Sequence, residues 1–513
     1  MTDGTMNLHP PVEKAPDSDI LRETISFAAE RPTALEVGAE EPWLRGDRRK
    51  SDRDARASRR RAATVAGLAL AALSLNGAVA EDVAPKVSPD RIDDVPSTKP
   101  DPFPAFDNFA WRAFVALNWP ALAEPERRGE PDRAKSLADP GPRVWETFKA
   151  RWEVFQPGPD GRAGEPAAWG SYAGPNPCGA GFDNRAKTLA SFVPYADFNQ
   201  ASFAPGRFVG PLVARNRTYT RYEVRINRAE FDSIVDHRWF ERANGPTPQA
   251  PAHFNVDSIA VKAAWRVLTD ADPPAVRSRY YVVANAQVVD VARSLAAGAP
   301  ICAAHDVALV GMHIAVKTKY RPQWLWSSFE HVDNVPPVGA GEAREPDAKA
   351  AGVRYAYNDP DKGQGEVAAS TDAPATQPVG LGNPPRPDPE PTQVIREHPI
   401  NAETMAMNRA YWALPQIRGT VWANYMLVAT QWPTVTQPPT PANDGRYFPG
   451  LRVEANTPAE PYQVAAENAA PENLVNVTME TYAQDQPSSC MACHHAVSNS
   501  LGRDFVAILI DAR

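Results

Sequence analysis

Proline sets the first limit on what this chain can become. The sequence holds 53 prolines in 513 residues, about twice the usual share of ~5%. Each one removes a backbone N–H and crowds the helical turn before it. Coiled coils, long helical bundles and repeat solenoids therefore fit poorly, and no internal repeat is visible. An irregular, turn-rich domain is expected instead. A net charge of −8 argues against a nucleic-acid partner, because such surfaces need basic groups that displace counterions from phosphates. The four cysteines are too few for a disulfide scaffold in a chain of this length.

Charge is uneven at the start. Between Arg45 and Arg61 nine basic residues face three acidic ones, and the run Ala62–Ala80 that follows is first apolar, then broken by Ser74, Asn76 and Gly77. It closes on Ala78-Val79-Ala80 before Glu81. A positive region, a short apolar stretch and an A-x-A site describe a secretory signal peptide. Residues 1–80 are thus expected to be an extension plus a cleaved leader, with translation starting near Val37 or Leu44 and the product periplasmic or otherwise extracytoplasmic and soluble. A membrane anchor is the rival reading, since 19 residues nearly span a bilayer, but the small and polar residues count against it. No stable membrane span is expected after cleavage.

Near the far end the chain reads Ser488-Ser-Cys490-Met-Ala-Cys493-His494-His495. This is C-x-x-C-H, the attachment pattern of c-type haem. On a helical turn, positions i, i+3 and i+4 project from one face. Two thiols at that spacing can add to the vinyl groups of one haem while the His494 imidazole ligates the iron as the proximal ligand. Ser488 or Ser489 is placed to cap the turn. Zinc could also use two thiolates and a histidine, but closed zinc sites draw ligand pairs from well-separated segments. A thioredoxin-like dithiol expects a βα unit around it, which the proline just upstream and the short tail do not suggest. The export signal favours haem, because attachment of haem c takes place outside the cytoplasm.

Four segments then carry a resemblance: Phe109–Pro120 (FAWRAFVALNWP), Trp324–Asn334 (WLWSSFEHVDN), Trp422–Tyr425 (WANY) and Ser488–His494 (SSCMACH). Together they resemble a bacterial family described only as cytochrome c family proteins, from about Pro104 to the C-terminus. The resemblance implies an exported protein with one covalent haem c, engaged in electron transfer with a redox partner protein. It carries over Cys490, Cys493 and His494, and no reaction. The chain departs from small cytochromes c, where attachment comes early and a methionine downstream is the second axial ligand. Here 19 residues follow His494, and His495 is the one further histidine or methionine among them. Any protein ligand on the distal side must come from earlier in the chain.

The distal candidates are His313, His331, His398, Met312, Met405, Met407, Met426 and Met479. His331 ranks first because Trp324, Trp326 and Phe329 around it could wall a porphyrin. His313 ranks second, in the strand-like run Val307–Val316. An open sixth position is equally compatible. Cys178 and Cys302 are expected to pair in an oxidising compartment, against the alternative of two buried thiols. Gly363-x-Gly365-x-x-Ala368 imitates a dinucleotide loop without a strand before it and is set aside. Glu330-His331 with Asp333 as a metal corner is set aside too.

The expected fold is α+β, with a mixed or antiparallel sheet, packed helices and long irregular loops. Residues 81–103 read as a loose lead-in. The body follows at 104–334, a Pro/Gly-rich surface excursion at 335–399, and the rest of the body with the attachment segment at 400–513. Apolar spacing predicts a helix from Phe106 to Leu117 and a second one through Trp145, Phe148, Trp152 and Phe155. Alternation predicts strands at Thr218–Ile226, Ile259–Leu268, Tyr280–Val291, Val307–Val316 and Tyr425–Trp432. Asn401 should cap a helix that Pro415 stops. The functional expectation is an exported one-electron carrier. The alternative is a haem oxidoreductase or small-ligand-binding enzyme, since more than 430 residues exceed what electron shuttling requires.

Overall fold

The protein is described by a computed structural model covering residues 84–95, 103–158, 160–200, 210–319, 321, 324–338, 355–362, 378–432, 476–482, 484, 490–497 and 501–513. The leader read at 62–80, the caps Ser488 and Ser489, and Gly363–Ala368 lie outside these residues. One strand organises the rest. β6 (Cys302–Val316) pairs along one edge with β4 (Ile259–Val267) and along the other with two strands in succession. Its first half meets β5 (Val282–Val289) and its second half β7 (Leu325–His331), all antiparallel. β8 (Tyr425–Gln431) extends the β7 side, and β3 (Arg221–Ile226) and the short β1 (Lys149–Ala150) extend the β4 side. The short β2 (Thr188–Leu189) joins β5 in parallel, which makes this eight-stranded sheet mixed.

Side-chain alternation gives the sheet two faces. On one, Val261, Ala263, Trp265, Met312, Ile314, Leu325 and Phe329 are buried in the main core. Among the described residues two helices cover this face: α1 (Phe103–Leu117) and α4 (Ala402–Trp412), the latter following α2 (Arg228–Asp236) and α3 (Val291–Ala297) in the chain. Trp111 stacks on Tyr411 at 4.7 Å, and Phe114 on Phe329 at 4.2 Å. Polar groups fix the register of these layers. Asn408 accepts from Trp111 Nε1 at 2.9 Å and from Leu427 N at 2.9 Å, and donates to Leu427 O. Such a buried amide with both ends satisfied admits one docking geometry, since any slip leaves polar atoms unpaired.

Much of the expected pattern is present. α1 ends before Pro120, Asn401 Oδ1 accepts from Glu403 N at 2.9 Å as the α4 cap, and five strands fall where alternation put them. Three expectations need correction. The lead-in read at 81–103 is not loose where it is described: Val95 is buried in the main core, Val87 and Ile92 pack against it, and Asp94 accepts from Thr318 Oγ1 at 2.9 Å. The aromatics Trp145, Phe148, Trp152 and Phe155 do not lie on one helix: a 3₁₀ turn (Val144–Thr147) leads into β1, then a single helical turn (Arg151–Val154). Phe148 is extended at ψ 160°, so the chain trades helical bonds for a ladder with β3. Parts of the excursion at 335–399 are not surface loop either. Val335, Ala356, Tyr357 and Val394 are buried in a second core on the opposite sheet face, and the Tyr357 hydroxyl lies 2.8 Å from Thr220 Oγ1. Among the described residues no helix is long and apolar enough to cross a membrane.

Cys178 and Cys302 form a disulfide that ties the loop before β2 to the start of β6 across a sequence separation of 124. Chain-entropy estimates for a loop of this size allow a stabilisation of about 5 kcal/mol. Replacing both cysteines by serine should lower the urea midpoint and steepen the slope, because the denatured chain without the crosslink exposes more surface. A non-reducing peptide map should recover the Cys178–Cys302 pair.

Glu230 on α2 is fully buried, and neither carboxyl oxygen has a hydrogen-bond partner among the described residues. Burial, and then the charge of Asp504, pushes its carboxyl well above the ordinary range. The folded state therefore holds a proton that the unfolded chain releases near pH 4–5, about the usual range for glutamate. Stability is fully present below that range and is lost as pH rises toward the folded titration, at ~1.4 kcal/mol per pH unit. Glu230→Gln should match the wild type in melting temperature near pH 4 and exceed it increasingly toward pH 8.

Candidate functional site

The C-x-x-C-H segment forms α5 (Cys490–Val497). It packs on the sheet near Trp326 and Gln431, which are cross-strand partners on β7 and β8. Met491 is buried in the core, and its backbone N–H donates to Gln431 Oε1 at 2.8 Å. This pins the first turn, where a helix has N–H groups without partners in its own ladder. Ala315, Ser328 and Ala429, on the same face as Trp326, are small and buried, so the segment can approach the sheet closely.

Cys490 and Cys493 are not joined in a disulfide, and both are partly buried. Burial, and after it the charge of Glu480, pushes the Cys490 thiol far up, so it stays protonated in the folded chain. His494 follows on the same helical face. Its Nδ1 lies 2.7 Å from the carbonyl oxygen of Phe505, and its ring centre 4.3 Å from that of Trp326. A carbonyl can only accept, so this contact requires the proton on Nδ1 and leaves the lone pair on Nε2. Burial also pulls the His494 imidazolium down to about 4. The ring is therefore neutral at neutral pH, the state a metal ligand needs.

Three charged or titratable groups face this end of the site. Lys262 and His313 are cross-strand partners on β4 and β6. Burial lowers the Lys262 ammonium to about 8, although Glu480 opposes the shift. His313 Nε2 lies 3.5 Å from Glu480 Oε2 but makes no hydrogen bond among the described residues. Both groups, with Glu480, lie within electrostatic reach of His494. Glu480 is delivered by the segment 476–482, which crosses β6 where Gly311 stands: a Cβ there would collide with Thr478 Oγ1. Asn476 Nδ2 holds that crossing by donating to Phe329 O at 2.9 Å.

His331 lies elsewhere. Register and alternation put it on the opposite sheet face, fully buried and stacked on Tyr280 at 3.8 Å. Its Nδ1 accepts from Asp333 N and its Nε2 lies 3.1 Å from Arg279 O, so both ring nitrogens are engaged. His398 Nε2 lies 2.9 Å from Gln484 O. Met312, Met405, Met407, Met426 and Met479 are all buried in core packing. Of the aromatics around His331, Trp326 faces His494, whereas Phe329 packs under α1. Lys262, Gln431, Glu480 and the Phe505 carbonyl had no place in the sequence reading. A lysine in the apolar first half of Ile259–Val267 was the one visible sign; a backbone carbonyl has none.

Among the described residues, no three His, Cys, Asp or Glu side chains are grouped to hold a metal ion by themselves. A haem asks less of the protein, since the macrocycle supplies four donors and the chain one imidazole and two thiols. Two cysteines outside any disulfide and the neutral, oriented His494 fit that demand. No family model, curated protein or solved structure matches the chain.

Proposed function

We propose that the chain is an exported c-type cytochrome, carrying one haem on Cys490 and Cys493 with His494 as proximal iron ligand and passing single electrons to a redox partner protein. The observation that carries this reading is the Nδ1–H of His494 donated to Phe505 O, on the helix face that also bears Cys490 and Cys493. Iron-bound histidines are commonly fixed through the ring nitrogen that does not touch the metal. A bound haem supplies a one-electron iron couple, tuned by axial ligands, hydrogen bonds and burial. The protein's own part is to hold His494 neutral, fix its tautomer, and keep water from the Trp326 side of the ring. Export through the leader at 62–80 places this chemistry in the periplasm or beyond.

His313 is the distal ligand this reading favours. It has an unsatisfied Nε2 and lies within electrostatic reach of His494, whereas both nitrogens of His331 are engaged. The polar company of Lys262 and Glu480 supports a second reading, a haem oxidoreductase in which His313 is a proton donor beside an open iron position.

Mature protein made in a host that attaches haem c should carry the mass of one haem, and Cys490→Ala with Cys493→Ala should lose it. The wild type should show a low-spin spectrum. His313→Ala should turn it high-spin and reactive to carbon monoxide, while His331→Ala should leave it unchanged. A wild type that is already high-spin and binds cyanide readily would favour the oxidoreductase, and absence of the haem mass would overturn both.

A further inference from the structure

Asp504 and Phe505 both adopt left-handed backbone conformations, with φ of 49° and 61°. Two consecutive non-glycine residues there are strained, and such strain persists only where the surroundings over-determine it. The surroundings here converge on one buried carboxylate. Asp504 accepts from Lys317 Nζ at 2.5 Å, Phe254 N at 2.8 Å and Trp324 Nε1 at 3.3 Å. Trp324 Nε1 also reaches the Asp504 carbonyl at 3.1 Å. Lys317 directly follows β6 and Trp324 directly precedes β7, so both ends of one hairpin connection grip this residue. The next carbonyl in the chain is Phe505 O, the acceptor for His494 Nδ1.

We propose that Asp504 is a positioning residue for His494: its carboxylate clamps the turn to the β6–β7 hairpin and so sets where the Phe505 carbonyl meets the imidazole N–H. This rests on His494 being an iron ligand. A well-aligned N–H···O=C bond shifts electron density toward Nε2 and raises the basicity of the ligand. A more basic ligand favours oxidised iron and lowers the reduction potential. Asp504 therefore tunes the couple without touching haem or iron. Burial raises its carboxyl to about 6, so measurements at pH 8 read the clamped, ionised form.

The test is Asp504→Asn in the haem-loaded full protein, with Trp324→Phe removing a donor from the same clamp. Both variants should keep the haem mass. The midpoint potential should rise, changing the oxidised-to-reduced ratio at fixed ambient potential by about tenfold, or 59 mV for a one-electron couple. The His494 Nδ1–H should exchange with solvent faster by NMR, a change that general loosening with an intact carbonyl bond would not give. If Asp504→Asn fails to fold, Trp324→Phe supplies the same two readouts. Unshifted potential and exchange in a haem-bearing variant would overturn the positioning role alone. A wild type without haem would overturn the functional reading and the positioning role with it.

Discussion

Backbone pairing along β6 is the constraint from which the other features follow. A strand of 15 residues has more hydrogen-bonding capacity than any one partner in this chain can fill, and its second edge is shared between β5 and β7. That division makes one strand common to both halves of the sheet. Its odd and even positions then feed different surfaces, Met312 and Ile314 into the helix-covered core and His313 and Ala315 toward α5. Because a shift of one residue would exchange those sets, the apolar contacts of the core also fix the polar composition of the site.

The site borrows its order from that sheet rather than from its own helix. α5 has eight residues and could not hold its shape alone in water. It is held by Met491 in the core, by Gln431 from β8, and by the Phe505 carbonyl from the segment that follows it. Each of these contacts reaches a different part of the chain. The C-x-x-C-H segment is therefore not a module that could be cut away and still fold.

What could be read beforehand followed the range of the forces involved. Local signals were legible: the apolar stripe of α1, the Asn401 cap, the alternation of β4, and the spacing of Cys490, Cys493 and His494. The sites that depend on distant pairing were not. His331 looked suitable because aromatics surround it in sequence, yet alternation sends Trp326 and His331 to opposite faces. β7 itself was hidden because Ser327 and Ser328 interrupt its apolar pattern, and its pairing comes from β6 and β8. Phe148 reads as part of a helix until β3, more than seventy residues later, offers it a ladder partner's neighbourhood.

The position of α5 after β8 has a temporal consequence. Protein chains emerge from the N-terminus and their early domains can fold during synthesis. Every strand that receives α5 is made before α5 itself, whereas the turn that carries the Phe505 carbonyl comes after it, so the berth closes only once the two thiols have emerged. Docking then buries Cys490 and suppresses its thiolate, the nucleophilic form. Any chemistry that needs the Cys490 thiolate is therefore favoured before the fold closes over it and disfavoured afterwards.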